Sequence, residues 1–322
     1  MRVASRWLAA FAVFALMLPS TQAAAAPNDL LNSGRVDEAI ASLQAQVKAS
    51  PKDALSYHYL CRAYFALGDW DRAISAGEKA TALASDNSEY HLWLGRAYGE
   101  KADRANPFSA ARLAGKLRNE FERAVQLDPK NVDARTDLAE FYIDAPGIVG
   151  GGQDKARAQA EALSSLAPHK AQYLKGRIAE KKKDSAGAEK AYRSAIEASQ
   201  GNANDWLNLA LFYKHTSRFD EMEKAINHAV MAPTGQNEVL VECGDILLRT
   251  DRSLPAAADL VRRYLSSGHP TEKSPMFKAH YVLGTILEKQ GDKQGAAQEY
   301  RASLALASGF GSAKEALSRI SK

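Results

Sequence analysis

The side chains of this sequence that could do chemistry are scattered. Seven histidines stand at His58, His91, His169, His215, His228, His269 and His280. None falls in an H-E-x-x-H helix-face pair, and no histidine or cysteine cluster has metal-ligand spacing. Cys61 and Cys243 sit in apolar helical pattern, which predicts two small buried hydrophobes and no disulfide framework. The run Gly147 to Lys155 is rich in glycine and could present backbone N–H groups to an anion. It lacks the G-K-[ST] ending of a phosphate loop, and no strand precedes it, so it reads as a flexible insertion. Glu120 and Glu122 are close in sequence but fall on a charged helix surface. No serine occupies a G-x-S-x-G elbow. The expectation is a chain that is not an enzyme, with no catalytic residue, no cofactor and no metal.

The bulk composition agrees with a binding protein of ordinary interior. Of 322 residues, 46% are hydrophobic, enough for a packed core. Formal net charge is +4, from 42 basic and 38 acidic side chains. So even a balance gives no electrostatic footprint for nucleic acid or an anionic membrane. The first residues read as an address label. Arg2 and Arg6 precede an apolar run from Trp7 to Leu18, and small residues follow from Ala23 to Ala26. That order is the order of a secretory signal, with cleavage expected after Ala25. The apolar run is too short to span a bilayer, and no later segment is apolar enough to do so. The expected compartment is the periplasm, with secretion as the alternative.

The elements that would position any site follow from an internal period. Tyr57-x-x-Leu60-Cys61-x-x-Tyr64 is echoed 34 residues later by His91-x-x-Leu94-Gly95-x-x-Tyr98. Arg135-x-x-Leu138-Ala139-x-x-Tyr142, Trp206-x-x-Leu209-Ala210-x-x-Tyr213 and His280-x-x-Leu283-Gly284-x-x-Leu287 repeat the order large, leucine, small, large. Large residues at i, i+3 and i+7 line one face of a helix. The small residue beside the leucine lets a second helix approach closely. Gly68 and Gly291 suit left-handed helix ends, and Asp69 and Asp292 suit the next helix starts. Pro51, Pro129 and Pro168 are expected to stop second helices. Asn106-Pro107 reads as a helix cap and first residue, opening a long helix through Leu113, Leu117 and Phe121.

This pattern resembles the tetratricopeptide repeat, a helix–turn–helix unit of 34 residues. The resemblance covers nearly all of residues 28–308. It implies an all-α, right-handed superhelical solenoid of seven to eight helix pairs. Residues 1–25 form the leader, 26–308 the solenoid and 309–322 a C-terminal capping helix that covers the last apolar face. In that family the first helix of each pair lines a concave groove that holds proteins or peptides. Carried over position by position, the resemblance puts His58, Arg62 and Phe65 in the groove from the second unit. The third unit gives Glu89, Arg96 and Glu100, the fourth Asp133, Glu140 and Asp144. The sixth gives Asn204, Leu211, Lys214 and His215. A family subtype clamps the carboxylate of chaperone tails. At the matching positions stand His58, Arg62, Trp93, Asp133 and Asp137, and the two aspartates would repel that ligand.

The expected function is an exported scaffold or adaptor that binds a protein or peptide along its groove. Arg62 and Arg96 at one end and the acids of unit four at the other suggest a partner segment of opposite charge order. Pairing of those arginines with Glu89 and Glu100 is the competing role. Two alternatives stand beside the scaffold. One is an envelope enzyme, or a subunit of one, with its site in the loops. The other is a cell-wall carbohydrate binder, for which Phe65 is the exposed aromatic candidate while Trp93 and Trp206 read as structural.

Overall fold

The computed structural model describes residues 26–321. The expected leader and its cleavage point lie outside the described residues. Seventeen α-helices and one 3-10 turn make up the regular structure of the described part. They fall into eight antiparallel pairs and a last single helix. The pairs begin with α1 (Pro27–Asn32) and α2 (Val36–Ala49), α3 (Ala54–Leu67) and α4 (Trp70–Leu83). Then come α5 (Ser88–Ala102) and α6 (Pro107–Leu127), α7 (Val132–Asp144) and α8 (Gln153–Leu163). The second half holds α9 (Pro168–Lys181) and α10 (Ser185–Ala198), α11 (Ala203–His215) and α12 (Phe219–Val230). It continues with α13 (Gln236–Arg249) and α14 (Leu254–Ser266), and α15 (Met276–Lys289) and α16 (Lys293–Leu306). The single helix α17 (Gly311–Ile320) closes the stack, burying Ala313 and Ala316.

Local signals set the helix ends as the sequence predicts. Gly68 takes φ 76° at the end of α3, and the Asp69 carboxylate accepts from the Arg72 amide at the start of α4. Asp292 caps α16 in the same way. Asn106 accepts from the Ser109 amide, and Pro107 opens the 21-residue α6. Pro168 departs from expectation. Helix α8 has already ended at Leu163, and Pro168 is the first residue of α9. A proline amide is not needed there, so the ring starts a helix instead of stopping one.

The repeat leucines Leu94 and Leu209 are 2% and 1% exposed, at the centre of the packing. The small residue beside Leu94 is needed sterically: a Cβ on Gly95 would sit 2.5 Å from the Phe121 ring of α6. Cys61 and Cys243 are free, fully buried thiols in separate apolar clusters. Burial pushes both up to about 12, which leaves them as inert packing groups. His91 is also core, held by Ser85 O at 3.0 Å and Glu120 Oε2 at 2.6 Å. Glu120 is therefore the partner of a buried histidine, not a freely solvated surface acid.

First helices touch one another along the stack: α3 meets α5, α5 meets α7, and the series continues through α9, α11 and α13 to α15. Second helices of successive pairs make no comparable contact. The stack bends towards its first helices, which makes their shared face the concave one. A feature the repeat does not encode joins the two ends of the chain. Leu30 and Leu31 of α1 share an apolar cluster with Phe277 of α15, Ala307 and Phe310. The Ser308 amide donates to the Asp37 carboxylate at 2.8 Å. The first unit therefore packs on α15 and on the turn that follows α16.

Candidate partner-binding chamber

Three helices carry a matching stripe along one face, at i, i+3 and i+7 on the first and at i, i+4, i+7 and i+11 on the other two. On α3 it is Tyr59, Arg62 and Ala66; on α5, Glu89, Trp93, Arg96 and Glu100; on α7, Asp133, Asp137, Glu140 and Asp144. These faces enclose a cavity of about 750 Å³. Its far wall comes from the other end of the chain, where Glu272 and Lys273 of the α14–α15 connection and Lys278 of α15 close it. Phe65, Trp93, Phe121 and Phe141 form its aromatic lining, with Leu117 and Ala66 beside them. This size and mixed lining match a binding pocket.

Charges in the chamber are largely engaged. Arg62 donates twice to Glu272, at 2.7 and 2.5 Å, and reaches Asn28 at 3.3 Å. Arg96 donates to Asp137 at 2.6 Å and lies 3.5 Å from Asp133. These pairings replace the expected ones with Glu89 and Glu100. Both guanidinium groups lie over the Trp93 ring, at 5.2 and 5.0 Å from its centre, so the two arginines do stand side by side. On the next rung Arg177 of α9 bonds Glu140 at 3.2 Å and Asp144 at 2.9 Å. Tyr173 donates to Glu140 as well. Burial raises the carboxyls of Asp137 and Glu140 above the usual range despite these cations. Burial also lowers the Lys278 ammonium, opposed by Glu100 and Glu272.

The residues expected in the groove divide into three groups. Arg62, Phe65, Glu89, Arg96, Glu100, Asp133, Glu140 and Asp144 all line the chamber. His58 does not. It is 5% exposed, stacked on Tyr90 with centroids 4.7 Å apart, and its Nδ1 has no hydrogen-bond partner. The reason is a shift of one residue. His58 shares its helical column with the buried Leu92 and Thr136, while Tyr59 shares the chamber column with Trp93 and Asp137. Lys214 and His215 sit on the same row of first helices but away from the chamber; His215 lies 3.5 Å from Glu180. Trp93, expected to be purely structural, is a chamber wall. Lys273, Lys278 and Glu272 were outside any repeat argument, because only end-to-end packing brings them here. The Gly147–Gln153 insertion forms the 3-10 turn Gly147–Val149, whose Ile148 is 95% exposed. Among the described residues, no three or more histidine, cysteine, aspartate and glutamate side chains are grouped to hold a metal ion. No helix of the described residues is long and apolar enough to cross a membrane.

Comparison with known proteins agrees with this architecture. Tetratricopeptide repeat family models match residues 30–98, 151–203 and 244–309. The chain belongs to the tetratricopeptide repeat family, whose repeats support a protein–protein interaction scaffold. Yeast Tom70 shares the fold at 14% identity and a TM-score of 0.55, over 95% of this chain and 66% of that one. A thermophilic repeat protein of Thermus thermophilus aligns at 17% identity with a TM-score of 0.48, over 58% of this chain and 98% of its own. Cellulose synthase operon protein C of Escherichia coli is 35% identical over 112 residues, 31% of this chain. The chain spans only about a tenth of the length of that relative.

Proposed function

We propose that this protein is an exported, non-catalytic adaptor that holds a segment of a partner protein in the chamber between α3, α5, α7 and the α14–α15 connection. The observation that carries the reading is the chamber itself. A cavity of about 750 Å³ with four aromatic walls sits on the concave row of a repeat scaffold. Extended segments bind such grooves by seating side chains in pockets along them. The signal-like order of residues 1–25 supports export to the periplasm or beyond. The cellulose synthase operon relative supports a repeat in common; at a tenth of its length the match assigns no polysaccharide role.

The test is site-specific photo-crosslinking in cells. A photoreactive residue at Phe141, in the chamber, should trap a partner. The same residue at Met231, 77% exposed and outside the chamber, should not. Equal trapping at both positions sinks the chamber as the binding site. Fractionation and N-terminal sequencing test export: cytosolic protein that keeps Met1 would overturn it.

A further inference from the structure

The chamber is selective in chemistry as well as shape. Eight carboxylates line it against four cationic side chains. The two arginines are already engaged inside it, Arg62 with Glu272 and Arg96 with Asp137. Among the described residues Glu89 and Asp103 have no ion-pair partner, and neither do Lys273 and Lys278; Glu89 accepts a hydrogen bond from the Asn131 side chain at 3.3 Å. Beside them stand the apolar faces of Phe65 and Phe141. Trp93 is more than filler. It already carries two guanidinium groups at about 5 Å, so this wall stabilises cations by the ring quadrupole.

We infer that the chamber takes an extended peptide segment of a partner protein in which lysine or arginine side chains alternate with apolar ones. The apolar residues would seat on Phe65 and Phe141. The cationic heads would meet Glu89 and Asp103, the two lining acids without an ion-pair partner. The inference rests on the chamber reading above and adds the chemistry of the occupant. It also revises the expectation of a segment with mixed charge order. At the positive end Glu272 engages Arg62, and the carboxylates that line the chamber still outnumber its cations with Lys273 and Lys278 included.

The experiment is fluorescence anisotropy with four labelled probes on the purified protein in moderate salt. Three are ten-residue peptides alternating leucine with lysine, glutamine or glutamate, and the fourth is labelled spermine. The lysine peptide should bind at least about tenfold more tightly than the glutamine peptide, and the glutamate peptide should not bind. The double variant Glu89→Gln/Asp103→Asn should weaken the lysine peptide about fivefold or more and leave the glutamine peptide unchanged. The same charge change made elsewhere, Asp154→Asn/Asp220→Asn, should have no effect, since those acids lie outside the chamber. Circular dichroism should show unaltered helix content in both variants. Equal affinity for lysine and glutamine peptides overturns the cation preference and leaves the chamber standing as a peptide site. Tight binding of spermine overturns the peptide form of the ligand. A lysine peptide indifferent to Glu89→Gln/Asp103→Asn is bound elsewhere and overturns the inference. Failure of all four probes overturns both the inference and the chamber.

Discussion

The guanidinium of Arg62 on α3 holds the carboxylate of Glu272 in a two-point pair across 210 positions of chain. Repeats that touch only their neighbours cannot make such a contact. It fastens the second unit to the α14–α15 connection and completes the chamber wall. The pair is partly sheltered, with side chains 13% and 34% exposed. A double-mutant cycle with Arg62→Ala and Glu272→Ala should return a coupling of about 1 kcal/mol, shrinking in high salt. Strict additivity would mean that the two ends are not fastened in solution.

Gly34 tests the same closure from the apolar side. It takes φ +75°, and a Cβ there would lie 2.7 Å from the Met276 amide nitrogen at the start of α15. Gly34→Ala therefore meets both backbone strain and a collision between chain ends, for a cost of about 1–3 kcal/mol. Hydrogen exchange should speed up in α1 and the first turn of α15 while α9 stays protected. A uniform loss along the whole stack would argue against the end-to-end contact.

Core and chamber positions on α5 should separate cleanly in stability measurements. Leu94→Ala should cost about 2–5 kcal/mol, and Leu209→Ala in α11 the same, because each opens a cavity in a closed interior. Glu89→Gln, on the chamber face of α5, should stay within about 0.5 kcal/mol. Similar losses at Leu94 and Glu89 would show that the assigned helix faces are wrong.

His58 gives the fold a marked acid limb. Burial, aided by the nearby Arg62 charge, pushes its imidazole down to about 3. The unfolded chain takes up this proton near pH 6.5, and the native chain does not until far lower. The group's contribution is present above pH 6.5 and is lost as pH falls towards 3, at up to about 1.4 kcal/mol per pH unit. His58→Phe keeps a ring on Tyr90 and removes the titration. Urea melts between pH 7 and 4.5 should show a shallower decline for the variant than for the parent. Parallel curves would place His58 in contact with water.

The repeat and its helix boundaries were legible in the sequence because they rest on local physics. Leucine spacing fixes a helix face, Asp69 and Asn106 fix helix starts, and Gly68 fixes a helix end, all within a turn or two of chain. Most of the chamber stripe was legible for the same reason: Arg62, Arg96, Glu140 and Asp144 fall on one face of their helices. The error at His58 marks the limit of that reasoning. A one-residue shift moves a side chain by about 100° round a helix, and carrying the family position over put His58 in the groove where the structure puts Tyr59 on the chamber column.

What the chain fixes locally is thus the helix pair, its caps and its apolar face. Which charges are free to meet a partner was decided only by tertiary structure. Nothing in the repeat announces that Glu272 will neutralise Arg62, that Asp137 will take Arg96, or that Trp93 will stand between them. The Arg96 pairing depends on the offset between α5 and α7, and the Arg62 pairing on how far the stacked pairs curve before α15 reaches α1. Curvature is the sum of small packing offsets at every interface between units, such as the one Gly95 permits against Phe121. A period read along the sequence gives each offset its place, and only the assembled stack gives their sum.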